Sequence, residues 1–186
     1  MEKDWKKRFD RQIRFPGIGE QGQELLLGSS VALIGCGGLG STIAACLARA
    51  GVGRLTIIDP ETVETSNLHR QFLYDENDVK SERKKAVIAA EKLSAACPET
   101  KIKAVPEPLN RNNIEDLLSG HRLVMDGLDN METRYLVNDW CVKNRVPWIY
   151  GGVTGSCGMA LVIIPGDGPC LRCLFPSPES SPTGEA

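Results

Sequence analysis

The sequence predicts an α/β domain built on a mostly parallel, doubly wound sheet. Three observations carry this expectation. Short apolar, β-branched runs alternate with alanine-rich or amphipathic segments of helical length. A glycine-rich turn joins the first apolar run to the helix after it, and two of the runs end on an acid, Asp59 and Asp126. The chain has 186 residues, 41% of them hydrophobic, which suffices for one packed core.

Residues 5–14 read as a basic helix carrying Arg8, Arg11 and Arg14, broken by Pro16 and Gly17. Residues 21–27 read as a second helix ending at Gly28, so residues 1–28 form a helical arm. The domain proper spans 29–174. Its first strand is 31–34, followed by Gly35-Cys36-Gly37-Gly38-Leu39-Gly40 and a helix over 41–50 that Gly51 and Gly53 stop. A second strand, 55–58, ends on Asp59. The next 20 residues are polar and irregular, with Asn67, Arg70 and Gln71 close together, and such a segment after a strand signals function.

A helix is expected over 81–96, with Val87, Ile88 and Leu93 as its apolar stripe and Pro98 as its stop. A strand follows at 101–105, then a helix at 112–118 with Asn110 or Asn112 as cap and Gly120 at its end. Residues 122–126 form a further buried strand, 132–144 a helix, and 146–150 a strand closed by Gly151 and Gly152. Residues 156–164 read as an antiparallel strand, and 165–169 as a turn. The Pro- and Ser-rich residues 175–186 read as a flexible tail. The sheet is therefore Rossmann-like, with N-terminal helices in front of it.

Composition narrows the function classes. A net charge of −2 gives no reason to expect nucleic acid or an acidic membrane as partner. No apolar stretch approaches about 18 residues, and the N-terminus lacks a signal-peptide core, so the expected location is the cytoplasm. Seven cysteines, an odd number, fit free thiols in a reducing compartment better than a disulfide framework. Among them only Cys170 and Cys173 have a spacing that suggests chemistry.

Gly35, Gly37 and Gly40 match G-x-G-x-x-G. The first allows a tight turn, the second a close backbone approach to phosphate or sugar, and the third close helix packing. The helix beginning there points its free N–H groups at an anion. Asp59 stands about 20 residues on, where a carboxylate can accept from a ribose. Ligands in such sheets bind beyond the C-terminal strand ends, so Asp59 and residues 126–130 should converge on one crevice. Arg70 and a lysine from Arg83-Lys84-Lys85 add fixed cations, which suits a triphosphate attacked at its α-phosphorus. Asp129 at a strand end can hold Mg²⁺, with phosphates completing the shell. Asp129 and Asn130 can also simply cap the helix that follows.

With these residues assembled, the chain resembles the MoeB/ThiF/HesA family, bacterial relatives of ubiquitin-activating enzymes. Arg8-Phe9-Asp10-Arg11-Gln12-Ile13 is similar to the family's R-Y-x-R-Q-I segment. Residues 31–59 resemble its glycine-rich core, and Ser66-Asn67-Leu68-His69-Arg70-Gln71 its S-N-L-x-R-Q motif. Asp126-Gly127-Leu128-Asp129-Asn130 resembles its D-x-x-D-N turn, and Gly168 to Cys173 its G-x-P-C-x-x-C segment.

The resemblance implies an adenylyltransferase acting on the C-terminal Gly-Gly carboxylate of a small ubiquitin-like sulfur carrier, with ATP and Mg²⁺, in molybdopterin- or thiamin-type sulfur transfer. It implies that Gly38 approaches ATP by backbone and that Asp59 binds the ribose. Asn67, Arg70 and Lys85 would contact phosphates within a site that also includes Ser66, Leu68, His69 and Asn130, and Asp129 would hold the metal. Arg11 would enter the partner's site in a homodimer. Because the family's lysine motif is spaced differently here, Arg83 and Lys84 stay candidates beside Lys85. Cys170 and Cys173 supply half of the family's zinc site. The chain stops where the family places its crossover loop, acyl-accepting cysteine and final strands, so it is expected to be the N-terminal part of a longer protein. Two other readings stand beside this one: a catalytically incomplete nucleotide-binding or scaffold homologue, and an NAD-dependent oxidoreductase.

Overall fold

The computed structural model describes residues 5–176. Six strands form one sheet: β1 (Ser30–Ile34), β2 (Arg54–Ile58), β3 (Lys101–Val105), β4 (Leu123–Asp126), β5 (Trp148–Thr154) and β6 (Cys157–Ile163). Their order is β3-β2-β1-β4-β5-β6. All neighbours are parallel except β5 and β6, which pair antiparallel from Trp148 opposite Ile163 to Thr154 opposite Cys157. The strand order reverses between β1 and β4, which opens a crevice at their C-terminal ends.

The central strands are apolar because helices cover both faces. Leu33, Leu55 and Ile57 pack with Ala44 and Ala48 of α4 (Gly38–Ala50) and with Ile88, Ala89 and Leu93 of α6 (Lys85–Ala96). On the other face Ala32, Ile34, Ile58 and Val124 meet Tyr135, Val137 and Trp140 of α8 (Met131–Asn144), together with Trp148 and Tyr150. The five-residue α7 (Ile114–Leu118) joins this second face at one end.

The N-terminal arm is three short helices, α1 (Trp5–Arg8), α2 (Asp10–Ile13) and α3 (Gly19–Leu27), where the sequence suggests two. Phe9 is buried against the turn at Gly51. Gln12 and Gln23 both donate to the Ala50 carbonyl, at 2.9 and 3.1 Å, and so satisfy an orphan acceptor at the end of α4.

Three boundaries differ from expectation. The helix expected over 81–96 begins only at Lys85, as α6, and a separate helix, α5 (Glu76–Ser81), forms mostly within the segment expected to be irregular; Glu82, in the left-handed region at φ 53°, stands between them. Asp75 caps α5 by accepting from the Asn77 and Asp78 N–H groups. Strand β5 does not stop before Gly151 and Gly152 but runs through them to Thr154. A short helix, α9 (Leu171–Leu174), follows the turn, and Phe175 behind it is buried, its carbonyl accepting from the Tyr135 hydroxyl at 2.8 Å. Most of the expected tail lies outside the described residues.

Helix α4 sits directly on β1 because Gly40 has no side chain: a Cβ there would stand 2.0 Å from the Gly35 carbonyl oxygen. Backbone cannot move aside as a flexible side chain can. Gly40→Ala is therefore expected to lower unfolding free energy by about 2 kcal/mol or more in urea titration, whereas an unchanged midpoint would contradict this packing.

Candidate functional site

The crevice begins with the loop after β1. Gly35 takes φ +85°, its N–H donates to the Ile58 carbonyl at 2.8 Å, and a Cβ on it would lie 2.5 Å from the Gly127 oxygen. Gly37 is the N-cap of α4, and no side chain caps the helix. The first N–H groups of α4 are thus left to face the crevice, with the positive end of the helix dipole behind them.

Asp59, at the end of β2, is buried, and both carboxylate oxygens accept backbone N–H groups: Cys36 at 2.6 Å and Glu61 at 2.8 Å. Each oxygen keeps a further lone pair for a ligand hydroxyl. Burial pushes its carboxyl up from the ordinary value, while the Cys36 and Glu61 N–H groups and Lys85 pull the other way. Burial also drives the Cys36 thiol up to about 12, so Cys36 is a packed, protonated thiol and no nucleophile. The Tyr74 hydroxyl donates to the Cys36 carbonyl at 2.9 Å and lies 3.4 Å from the Lys85 carbonyl, tying the loop to the start of α6.

Of the three candidate cations, Lys85 is the one turned inward. Its side chain is 3% exposed, its ammonium donates to Glu61 at 2.6 Å, and its N–H donates to the Glu61 carbonyl. Arg83 instead pairs with Glu91 on the surface, and Lys84 is the exposed N-cap of α6.

Residues 65–71 wrap over the loop. Thr65–Asn67 form a 3-10 turn held by a reciprocal cap, in which the Asn67 oxygen accepts the Glu64 N–H at 3.2 Å. The Asn67 carbonyl accepts from the Arg70 and Gln71 N–H groups. Arg70 donates to the Ser66 carbonyl at 2.9 Å, and its side-chain carbons pass within 4 Å of where a Gly38 Cβ would be. Ser66 and His69 are exposed. Leu68 packs against the apolar cluster under α6, so its side chain is structural. Gln71 is buried beside Gly37, and its side-chain oxygen has no partner.

At the end of β4, sequence reasoning missed the dominant contact. Asp126 and Arg134 form an ion pair at 3.0 Å with both side chains almost fully buried. Asp126 also accepts the Leu128 N–H at 2.7 Å, while Arg134 donates to the Leu128 and Gly151 carbonyls and lies over the Tyr150 ring. The pair fixes the turn that carries Asp129. Asp129 is exposed, and Asn130 caps α8 by accepting the Thr133 N–H at 3.0 Å. Asp129, which accepts from the Asn130 side-chain amide at 3.5 Å, is the exposed acid at this strand end.

The loop glycines, Asp59, Arg70 and Lys85 therefore gather at one crevice, with Asp129 at the adjacent strand end. An uncapped helix N-terminus and two cations fit a polyphosphate nucleotide. Arg11 lies elsewhere: α2 sits by Gly51, at the other end of the 13-residue α4, about 20 Å away. Cys170 is the N-cap of α9 and Cys173 lies within it, with the Cys170 sulfur beside the Asn138 amide of α8, and their sulfurs are 3.7 Å apart. Two ligands on a tetrahedral ion with bonds of about 2.3 Å would be about 3.8 Å apart. Burial pushes the Cys170 thiol up, but hydrogen bonds from Cys173, Arg172 and Asn138 outweigh it and the net shift is downward. No group of three or more metal-ligating side chains occurs among the described residues. Nor does any helix there have the length and apolarity to cross a membrane.

Residues 9–186 match the ThiF family. The chain is 40% identical over 179 residues to the sulfur carrier protein ThiS adenylyltransferase of Bacillus subtilis, covering 96% of this chain and 52% of that one. It is 41% identical over 176 residues to a sulfur carrier protein adenylyltransferase of Thermus thermophilus, covering 92% and 64%. It thus spans between half and two thirds of these relatives' length. Its fold matches the Escherichia coli tRNA N6-threonylcarbamoyladenosine dehydratase TcdA, solved in complex with ATP, at TM-score 0.73 and 28% identity, over 78% of this chain and 59% of that one.

The Asp126 carboxyl carries a measurable signature. Burial pushes it up to about 6 from an ordinary 3.8, against the pull of Arg134 and the Leu128 and Gly151 N–H groups. A raised carboxyl contributes stability that is fully present below the unfolded value and lost as pH rises through the folded one. Urea unfolding from pH 7 to pH 4, run beside a non-titrating Asp126→Asn variant, should show the parent gaining on the variant as the pH falls. A difference that stays flat would place the carboxyl at its ordinary value.

Proposed function

The chain belongs to the ThiF family, and on that premise we propose that it binds ATP and adenylylates the C-terminal carboxylate of a small ubiquitin-like sulfur carrier ending in Gly-Gly. One carboxylate oxygen bonds to the α-phosphorus, the bond to the bridging oxygen breaks, and pyrophosphate leaves with that electron pair. The observation that carries this reading is the placement of Arg70 over Gly38, with Lys85 buried beside Asp59. Hydride transfer to a nicotinamide does not call for two fixed cations at the phosphate loop. Charge growing on a leaving pyrophosphate does.

Each residue then has a role. Gly37 and Gly38 let phosphate approach the backbone N–H groups of α4, and the free lone pairs of Asp59 accept from ribose. Arg70 and Lys85 neutralise phosphates, which requires the Lys85 ammonium to exchange Glu61 for a ligand oxygen. Asn67 shapes the segment that presents Arg70. Asp129 would hold Mg²⁺ whose other oxygens come from phosphate and water, since no three-ligand cage exists among the described residues. Such a metal supplies charge neutralisation and orients the phosphates.

Arg11 is too far from its own crevice to act there. Its position supports delivery in trans, in a homodimer where each copy contributes Arg11 to the other's site. Cys170 and Cys173 have the spacing of two zinc ligands, and a closed site needs two more from outside the described residues.

Calorimetric titration tests the reading directly. ATP with Mg²⁺ should bind and NAD should not. Arg70→Ala should weaken ATP at least tenfold, and Asp129→Asn should remove the dependence of that binding on Mg²⁺. With the carrier present, pyrophosphate should exchange into ATP, and Arg70→Ala should abolish exchange. Preference for NAD, or an Arg70→Ala variant with unaltered ATP affinity, would reject the assignment.

A further inference from the structure

A second cleft lies at the opposite end of the sheet, independent of the crevice. It has a volume of about 420 Å³, in the range of small-molecule sites. The register of the sheet builds it. Arg54 stands opposite Lys101, and Thr56 opposite Lys103, so all four side chains leave the same face of β2 and β3. That face is shared with Ile58 and Val105, which are buried, but α7 is five residues long and leaves the N-terminal part open. The cleft is walled by the end of α7 and by His121.

Its charge is unbalanced. Arg54, Lys101 and Lys103 make no ion pair among the described residues, and the sheet register gathers all three on one cleft. Asp116 on α7 is the acid in the lining. Lysines on the outer strand β3 are a common way to guard a sheet edge. That does not account for Arg54, which is on an interior strand, nor for His121.

His121 is held from both sides. Its Nδ1 lies 3.1 Å from the Leu118 carbonyl, which can only accept, so Nδ1 carries the proton. Its Nε2 lies 2.9 Å from the Thr56 hydroxyl and, in the neutral ring, accepts from it. Burial, and then the charges of Arg54 and Lys103, hold the imidazole below its ordinary value. An anion beside these groups would offset the two cations and allow the ring to take up a proton.

We propose that this cleft is a second anion site, which takes a small phosphate-bearing molecule between Arg54, Lys101 and Lys103, with His121 as its floor. Thr56, the innermost β2 residue of the cleft, is three residues and about 10 Å from Asp59, so a ligand here does not occupy the nucleotide crevice.

The chain has two histidines, one at each place: His69 beside the crevice and His121 in the cleft. Imidazole NMR signals therefore report the two sites separately, whatever the fate of the proposed adenylylation. Inorganic phosphate, titrated at low ionic strength, should shift the His121 signals saturably and raise its midpoint of titration. In the folded Arg54→Gln, Lys103→Gln double variant the apparent affinity should fall at least tenfold, while ATP binding, if present in the parent, is unchanged. The charged groups facing His121 are Arg54, Lys101, Lys103 and Asp116, and the double variant alone, without phosphate, should also raise its midpoint. No saturable shift, or one that persists in the double variant, would overturn the proposal. A His121 response to hexaglutamate with none to phosphate would also overturn it, and would make the cleft a contact for an acidic protein segment.

Discussion

Three peptide backbones touch at the centre of this domain, and the crevice depends on that contact. Gly35, Gly40 and Gly127 come from the loop after β1, the first turn of α4 and the turn after β4. A methyl group on Gly35 or Gly127 would lie within 3 Å of backbone on the other. Because nothing intervenes, the helix N-terminus, the end of β2 and the end of β4 are brought to one place. The chemistry available there follows from this closeness, since N–H groups and carboxylates a few ångströms further apart would be separated by water.

Around that contact, charge is held by partners that each do two things. The Asp59 carboxylate anchors the glycine loop through Cys36 and the chain beyond β2 through Glu61, and still presents lone pairs. Glu61 receives both the backbone N–H and the ammonium of Lys85. The buried Lys85 is thus paired with a counter-ion that is itself mostly exposed, 61% against 3%. An exposed counter-ion is the one that can leave when a stronger anion arrives. At β4 the arrangement is the reverse: Asp126 and Arg134 are both buried and neither is available to a ligand. Removing one would leave the other uncompensated, so that pair is architecture.

The sheet was legible because its strands are buried on both faces and read as unbroken apolar runs, as in Val31 to Ile34 and Leu55 to Ile58. The glycine spacing and the terminal Asp59 were legible because the close approach leaves no alternative residue types. The break between α5 and α6 was not. Ser81-Glu82-Arg83-Lys84 contains good helix formers, and what interrupts them is tertiary: the Lys85 N–H bonds to the Glu61 carbonyl, and Lys84 bridges to Thr62. Gly151 and Gly152 looked like a strand end, but both stay in β5 by pairing with Ala160 and Met159 of β6, and Leu39 of α4 lies over Gly151 where a side chain would be. The Asp126–Arg134 pair spans a turn and has no local periodicity to reveal it, and Leu68 sits in a binding motif while its side chain serves the core.

The last strand has a different consequence. Among the described residues β6 is paired only with β5, so its outer edge presents a ladder of unused amides and carbonyls. Both faces near it are greasy: Val153 and Val162 are each 60% exposed, and Met159 and Ile164 nearly half. A free edge flanked by bare apolar side chains is a template for any other extended chain. An extended segment laid along β6 would pair those amides and carbonyls and take these side chains out of water in one step.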